Sequence, residues 1–229
     1  MKNNFKVLSV GGSIIIPKSG FDIEFLRGFR AMLLKRIKRG EKFIIVIGGG
    51  ATCRQYQNAA SQVVKLSNDE LDWLGIAVTY TNARFVHALF GDLAYPHIVM
   101  DPRVKVKTNK SLIIAAGWKP GFTTDHSAVK LAEAYGVKEV CNLSNISYVY
   151  DKDPNTFKDA VKIERTHWKY FCEHIVPKER HPGMNTPFDP MASKLARKLG
   201  LKVFFVDGRN LKTLDAALSG KKFDGTIIE

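Results

Sequence analysis

An open α/β fold, with a mostly parallel sheet between helices, is what this sequence predicts. Apolar runs such as 43–47 (FIIVI) and 112–116 (LIIAA) are too short for helices and read as strands buried on both faces. Segments with helical spacing alternate with these runs. Glycines follow strand ends directly, at Gly11-Gly12 and at Gly48-Gly49-Gly50.

Residues 5–10 (FKVLSV) form the expected first strand, turning at Gly11-Gly12-Ser13. Asp22 is placed to cap a helix on which Ile23, Leu26, Phe29, Leu33 and Ile37 share a face and which Gly40 stops. Strand 43–47 feeds Gly48–Gly50 and then a helix beginning near Cys53. A long helix is expected over 71–90, with Leu74, Val78, Phe85, Val86 and Leu89 on or near one face. Residues 97–100 (HIVM) and 112–116 read as further strands. A helix over 126–135, closed by Gly136, leads to a strand over 137–143 and a loop or small hairpin over 148–165. Residues 167–188, with Pro177, Pro182, Gly183 and Pro187, are the least regular part. Asp189-Pro190 starts a helix well, an N-cap followed by proline at N1; Met191, Leu195 and Leu199 line it and Gly200 ends it. A strand over 203–206, a helix over 211–218 and an edge strand over 226–228 complete the chain, which has no evident internal repeat.

At 229 residues and 45% hydrophobic content, the chain suits one large domain or two tightly joined lobes. Its apolar runs are too short to span a bilayer, and the N-terminal lysine precedes no long apolar core, so a cytoplasmic protein is expected. The three cysteines have no metal-knuckle spacing and read as reduced thiols, with reactivity at Cys53 left open. The six histidines show no HExxH pattern, so no structural metal site is expected. A net charge of +13 admits nucleic-acid binding, but the cations are scattered and small anionic substrates fit equally well. The densest cluster, Lys35, Arg36, Lys38 and Arg39, reads as the solvated side of an amphipathic helix.

The stretch Gly117 to Asp125, with glycines, two hydroxyls and a carboxylate just ahead of an expected helix start, and the glycine run Gly48–Gly50 suggest an enzyme that moves a phosphoryl group between two bound molecules. Neither matches the phosphate-loop or GxGxxG pattern, so the ligands would be held some other way. The glycine run at 48–50 costs backbone entropy, so something must approach it closely. Arg54, one turn on, can fork onto phosphate oxygens or be a plain surface arginine. Asp72 can accept from a sugar hydroxyl or cap its helix. Within Thr123-Thr124-Asp125, Thr124 is a phosphate contact or an N-cap, and Asp125 can orient ammonium groups or help hold a magnesium–nucleotide complex. Lys194 can stabilise charge on a transferred phosphoryl group or be a solvated lysine. Residues 150–155 (YDKDPN) can seat a nucleotide base or form an ordinary turn.

Taken in order, several stretches resemble the amino-acid-kinase superfamily, and within it the archaeal-type uridylate (UMP) kinases. They are Val10-Gly11-Gly12-Ser13, Gly48-Gly49-Gly50 with Arg54, and Asp72 with Gly75, Thr79, Asn82 and Ala83. Pro120 to Asp125, Val149 to Pro154, Asp189 to Ala192 with Lys194, and Gly225 to Ile228 continue the match nearly end to end. The resemblance implies a three-layer αβα sandwich, with residues 1–123 an acceptor lobe and 124–229 an ATP lobe. It implies transfer of the ATP γ-phosphoryl group to UMP, giving UDP and ADP, with Mg2+ accompanying ATP. By position, Gly12, Gly49, Gly50, Arg54, Asp72 and Thr124 would hold UMP. Gly11, Ser144, Asn145, Tyr150, Asp153 and Pro154 would hold ATP, and Asp125 and Lys194 would be catalytic. A homo-oligomer is implied, a hexamer built as a trimer of dimers.

Three positions depart from the pattern. Ser9 stands where many relatives have lysine, and Tyr80 replaces an arginine common in the archaeal type. Tyr148 replaces a glycine near the expected nucleotide site, where its ring can narrow the pocket or stack on a ligand. The alternatives are a kinase of another small phosphorylated acceptor and a catalytically weak nucleotide-binding or storage protein of the same fold.

Overall fold

The structure, a computed structural model, describes residues 5–154, 156–177 and 186–229; Asn155, Pro182 and Gly183 lie outside the described residues. The chain runs through β1 (Phe5–Val10), the single turn α1 (Gly12–Ile15), α2 (Ile23–Ile37), β2 (Lys42–Ile47), α3 (Gly50–Val63), α4 (Asn68–Phe90) and β3 (Leu112–Ala115). There follow α5 (Thr124–Tyr135), β4 (Glu139–Ser144), β5 (Val149–Tyr150), β6 (Lys162–Ile163) and β7 (Arg165–Thr166). α6 (Trp168–Tyr170) runs into a π turn over Phe171–Ile175, and α7 (Pro190–Leu199), β8 (Lys202–Asp207), α8 (Leu211–Leu218) and β9 (Gly225–Ile228) end the chain.

Seven strands make one sheet in the order β3-β2-β1-β4-β8-β9-β7, while β5 and β6 pair separately. The run from β3 to β8 is parallel, and β9 is antiparallel to β8. Strand alternation splits the apolar side chains between two cores. Leu8 and Val10 pack with α2, α4 and α8 on one face, and Val7 packs with α5, α6 and α7 on the other. This is the three-layer αβα sandwich that the sequence implied. After β3 the chain returns to lay β4 on the far side of β1, so the strand order reverses there. Such a reversal opens a crevice beyond the carboxyl ends of the strands.

Local chemistry sets most helix limits. Asp22 Oδ1 accepts from the Phe25 amide at 3.0 Å to start α2, and Asp189 Oδ1 accepts from the Ala192 amide at 2.7 Å to start α7. Left-handed Gly136 and Gly200 end α5 and α7, at φ 65° and 58°. A reciprocal capping box between Ser67 and Glu70 starts α4 three residues earlier than the sequence suggested.

Four expectations need correction. α3 begins at Gly50 rather than near Cys53, because Gly49 already serves as its N-cap. Residues 97–100 contribute only an isolated bridge, Val99 to Ala115. β9 is interior to the sheet, and the two-residue β7 is the edge. Arg36 is not solvated: it is 3% exposed. Its guanidinium donates to Asp215 Oδ1 at 2.6 Å, Glu41 Oε2 at 3.1 Å and the Leu218 carbonyl at 2.8 Å, clamping α2 to α8.

Among the described residues no helix is long and apolar enough to cross a membrane. Arg36→Ala strips the clamp and takes from Asp215 its charged partner, while Lys6 still reaches the Leu218 carbonyl and Glu41. The expected loss is about 2–4 kcal/mol, tempered by the exposure of Asp215, and urea unfolding of the variant against the parent chain measures it.

Candidate active site

The two glycine turns interlock. Gly48 donates to the Val10 carbonyl at 2.9 Å, fixing the β2 exit against the β1 exit. A Cβ on Gly12 would overlap the Gly48 carbonyl and the Gly50 amide. Gly50 is left-handed at φ 64°, and a Cβ there would overlap the Ser13 amide. The body that approaches the glycine run so closely is therefore the chain's own first turn. Among the described residues no hydrogen bond occupies the amides of Gly12, Ser13, Gly49 and Gly50. Asn82 of α4 holds the second turn from behind, its Nδ2 donating to the Gly48 carbonyl at 2.9 Å.

Beside the second turn lies a cavity of about 130 Å3 lined by Gly49, Cys53, Asp72, Gly117, Thr123 and Thr124, among others. The N-termini of α3 and α5 both open onto it, and their free amides and dipoles favour an anion. Thr123 is the N-cap of α5, accepting from the His126 amide at 3.2 Å. Thr124 is thus the first helical residue and not the cap. The cap of α4 is Ser67, so Asp72 is not a helix cap either. Asp72 is 7% exposed and its Oδ2 accepts from the Gly121 amide at 2.7 Å, holding the 117–121 loop over the cavity. Arg54 is exposed, with no ion pair among the described residues. Burial pushes the Cys53 thiol up, Arg54 opposing and Asp72 reinforcing that shift, so both charged side chains lie within electrostatic reach of Cys53. The three cysteines are free thiols.

Asp125 sits in the first turn of α5, above the sheet. Its Oδ1 accepts from Ser9 Oγ at 2.8 Å and from Asn142 Nδ2 at 3.0 Å. The Asp189 backbone faces the same carboxyl group and favours its ionised form, so α5 meets the start of α7 there. Burial pushes the Asp125 carboxyl up to about 7, and the Asp189 charge adds to the rise against the pull of its donors. Ser9 stood out in the sequence only as a departure from the family pattern, and Asn142 did not stand out at all. Their shared signal was polarity within buried strands, FKVLSV and EVCNLS. Next to Asp125, His126 is held down to about 4 by burial and so is neutral, its Nδ1 buried without a partner, and it packs on Phe122 and Trp118.

The other candidates lie outside the lining of that cavity. Gly11 donates to the Leu143 carbonyl at 3.0 Å, and Gly208 to the Ser144 carbonyl at 2.8 Å, drawing the ends of β1, β4 and β8 together. Asn145, Asp153 and Pro154 are exposed and Ser144 and Tyr150 half-buried; Tyr150 pairs with Lys162 in the β5–β6 hairpin. Tyr148 is engaged by the protein itself: its hydroxyl donates to Asp224 Oδ1 at 3.1 Å and Lys162 lies over its ring. Lys194 is exposed on α7 and makes no hydrogen bond or ion pair among the described residues; its charge is felt at Cys172. The structure thus brings Gly49, Asp72 and Thr124 to one cavity, packs Gly12 against Gly50 beside Gly49, and keeps Lys194 outside the lining.

A second cavity, about 310 Å3, opens at the opposite end of the sheet around Lys6, Lys138 and Glu139. Ligands of parallel sheets gather at the carboxyl ends of the strands, which favours the smaller cavity. Among the described residues no group of three or more His, Cys, Asp or Glu side chains is placed to hold a metal ion.

The sequence profile of the amino acid kinase family matches residues 4–207. The uridylate kinase of Thermococcus kodakarensis is 31% identical over 225 residues, covering 97% of this chain and 98% of that protein. That of Methanospirillum hungatei is 31% identical over 227 residues, covering 97% and 93%. The solved uridylate kinase from Archaeoglobus fulgidus superposes with a TM-score of 0.82 at 26% identity, over 99% of this chain and 100% of that one. A UMP kinase from Bacillus anthracis shares the fold at a TM-score of 0.78 and 17% identity, over 99% of this chain and 96% of that one.

The raised Asp125 carboxyl has a sign that can be measured. An unfolded aspartate ionises near 3.8, and this one near 7. Between those values the folded chain holds a proton that the unfolded chain has released. The resulting stabilisation is complete below the lower value and is lost as pH rises through the upper one. Asp125→Asn removes this dependence. The thermal midpoint of the variant is expected to gain on that of the parent as pH rises from about 5 to 8; differential scanning fluorimetry across that range shows it.

Proposed function

The chain belongs to the amino acid kinase family, among its uridylate kinases, and from that premise we propose that the crevice transfers the γ-phosphoryl group of ATP to UMP. The products are UDP and ADP. The observation that carries this reading is a cavity onto which Gly49 at the start of α3 and Thr123 and Thr124 at the start of α5 both open beside Asp72, with Arg54 and Asp125 next in the chain to its lining residues Cys53 and Thr124. A cavity with that lining suits the phosphate of a nucleoside monophosphate.

In this reading the amides of Gly12, Gly49 and Gly50 and the Thr124 hydroxyl cradle the UMP phosphate, and Arg54 closes on it from the exposed side. Asp72, already fixed by the Gly121 amide, offers its carboxylate to the ribose. Residues 1–123 thus form the acceptor half, and residues 124–229 hold ATP through Ser144, Asn145, Tyr150, Asp153 and Pro154, with Gly11 at the join. Magnesium enters with ATP, held by phosphate oxygens and water. The two phosphate groups meet in line, so the protein supplies alignment and charge and forms no covalent intermediate. Asp125 fixes the start of α7 through the Asp189 backbone. That helix carries Lys194, which swings toward the transferred group as the crevice fills.

The chain acts as a homo-oligomer, a hexamer in the fullest form of this reading. The exposed aromatic side chains Tyr56 on α3 and Trp73 and Tyr80 on α4 support a self-associating face. Tyr80 there takes the place of an arginine, which makes the face more apolar. Tyr148, tied to Asp224 and Lys162, supports no separate storage role.

A coupled assay of ADP release with MgATP and a panel of UMP, CMP, AMP and isopentenyl phosphate tests the substrate. UMP is expected to turn over fastest by at least about tenfold, and equal or faster turnover of another acceptor would replace it. Arg54→Ala is expected to raise the KM for UMP by about ten- to a hundredfold with little change in kcat. Asp125→Asn is expected to lower kcat by a similar factor with little change in KM. Equal, small effects from both variants would contradict these roles.

A further inference from the structure

We propose that Ser9 is a positioning residue for the transfer, its hydroxyl tying the acceptor-side strand β1 to the carboxylate about which the other half of the crevice is built. This inference rests on the kinase reading above. Ser9 and Asn142 are register partners on the adjacent parallel strands β1 and β4. Alternation points both toward α5, on the face where Val7 and Val140 pack. They are 3% and 6% exposed, so neither can rely on water. A buried hydroxyl and a buried amide each need a partner, and both spend a donor on the same oxygen, Asp125 Oδ1.

The Asp189 backbone also faces this carboxyl and favours its ionised form. Residues 9, 142 and 189 are remote in sequence, and among the described residues Ser9 is the one donor to it from the chain before α5. β1 also carries Gly11 and Gly12 at its exit, so a slack Ser9 contact lets the glycine turn and the carboxylate drift independently. The elements packed on α5 bring Ser9 from β1, apolar Ile44 and Val46 from β2, Asn142 from β4 and Asp189 from the start of α7. Of these only Asp189 carries charge, and it opposes ionisation of Asp125 while Ser9 and Asn142 favour it.

The test compares Ser9→Ala, Ser9→Cys and Ser9→Thr with the parent chain, after thermal melts establish which variants fold. Cysteine is a much weaker donor of nearly the same shape, and it stands in for alanine should alanine unfold the strand. In assays with MgATP and UMP, Ser9→Ala is expected to lower kcat at neutral pH about tenfold, with each KM within about twofold. The acidic limb of kcat is expected to move to higher pH by about one unit, and threonine, which keeps the hydroxyl, to restore both. Carbon-13 NMR of the Asp125 carboxyl should show the same upward displacement without any turnover. An unmoved Asp125 titration in Ser9→Ala, a change confined to KM, or a folded Ser9→Thr as poor as alanine would overturn the proposal. Should the parent chain leave UMP unphosphorylated, the kinase reading falls, while the NMR comparison still judges the Ser9 contact on its own.

Discussion

A single carboxylate, Asp125, is the constraint on which the crevice depends. It is placed where strands β1 and β4, helix α5 and the start of α7 meet; a side-chain donor from each strand reaches it, and the Asp189 backbone faces it. Burying a carboxylate is costly, and here burial and the neighbouring Asp189 raise its pKa to about 7 despite those donors. The fold therefore carries an electrostatic cost at its centre near neutral pH. Sites that retain such a cost are commonly functional ones, where stability is traded for an arrangement that chemistry needs.

The second constraint is steric. Two turns that leave adjacent strands are packed backbone to backbone, with no room for a side chain at Gly12 or Gly50. The amides of Gly12 and Gly50, at helix starts, have no intrahelical acceptor, and no other backbone group takes them among the described residues. α4 supports the arrangement from outside, through Asn82 on the Gly48 carbonyl, Thr79 on the Gly117 amide and Asp72 on the Gly121 amide. One helix thereby positions the second glycine turn and the loop that covers the acceptor cavity. In the proposed function the phosphate is therefore held chiefly by the main chain, with the exposed Arg54 closing on it.

Much of the fold was legible because its cues are local. Asp22, Asp189, Gly136 and Gly200 each act within one turn of their helix, so a linear reading finds them. Short apolar runs followed by glycines likewise marked β1, β2 and the crevice they border. What was illegible depends on partners far away in sequence. Arg36 looks like its solvated neighbours until α8 arrives with Asp215 and the Leu218 carbonyl. β9 looks like an edge until β7 covers it. Ser9 and Asn142 become a pair only once β4 is known to lie beside β1, and strand order is not written in either strand. At Gly12 and Gly50 the need for glycine was legible, but the neighbour that imposes it was the chain itself.

The central claim is that two anionic ligands meet end to end at the carboxyl edge of the sheet, beside Asp125. A crystal structure with a bisubstrate analogue, adenosine joined to uridine through a phosphate chain, tests it most directly. The account predicts uridine over Asp72, adenosine toward Tyr150 and Asp153, and the phosphate chain running from Gly49, Gly50 and Arg54 past Asp125 to Gly11. An analogue seated instead at the opposite end of the sheet, around Lys6 and Lys138, or one that leaves Arg54 and Asp125 untouched, would contradict it.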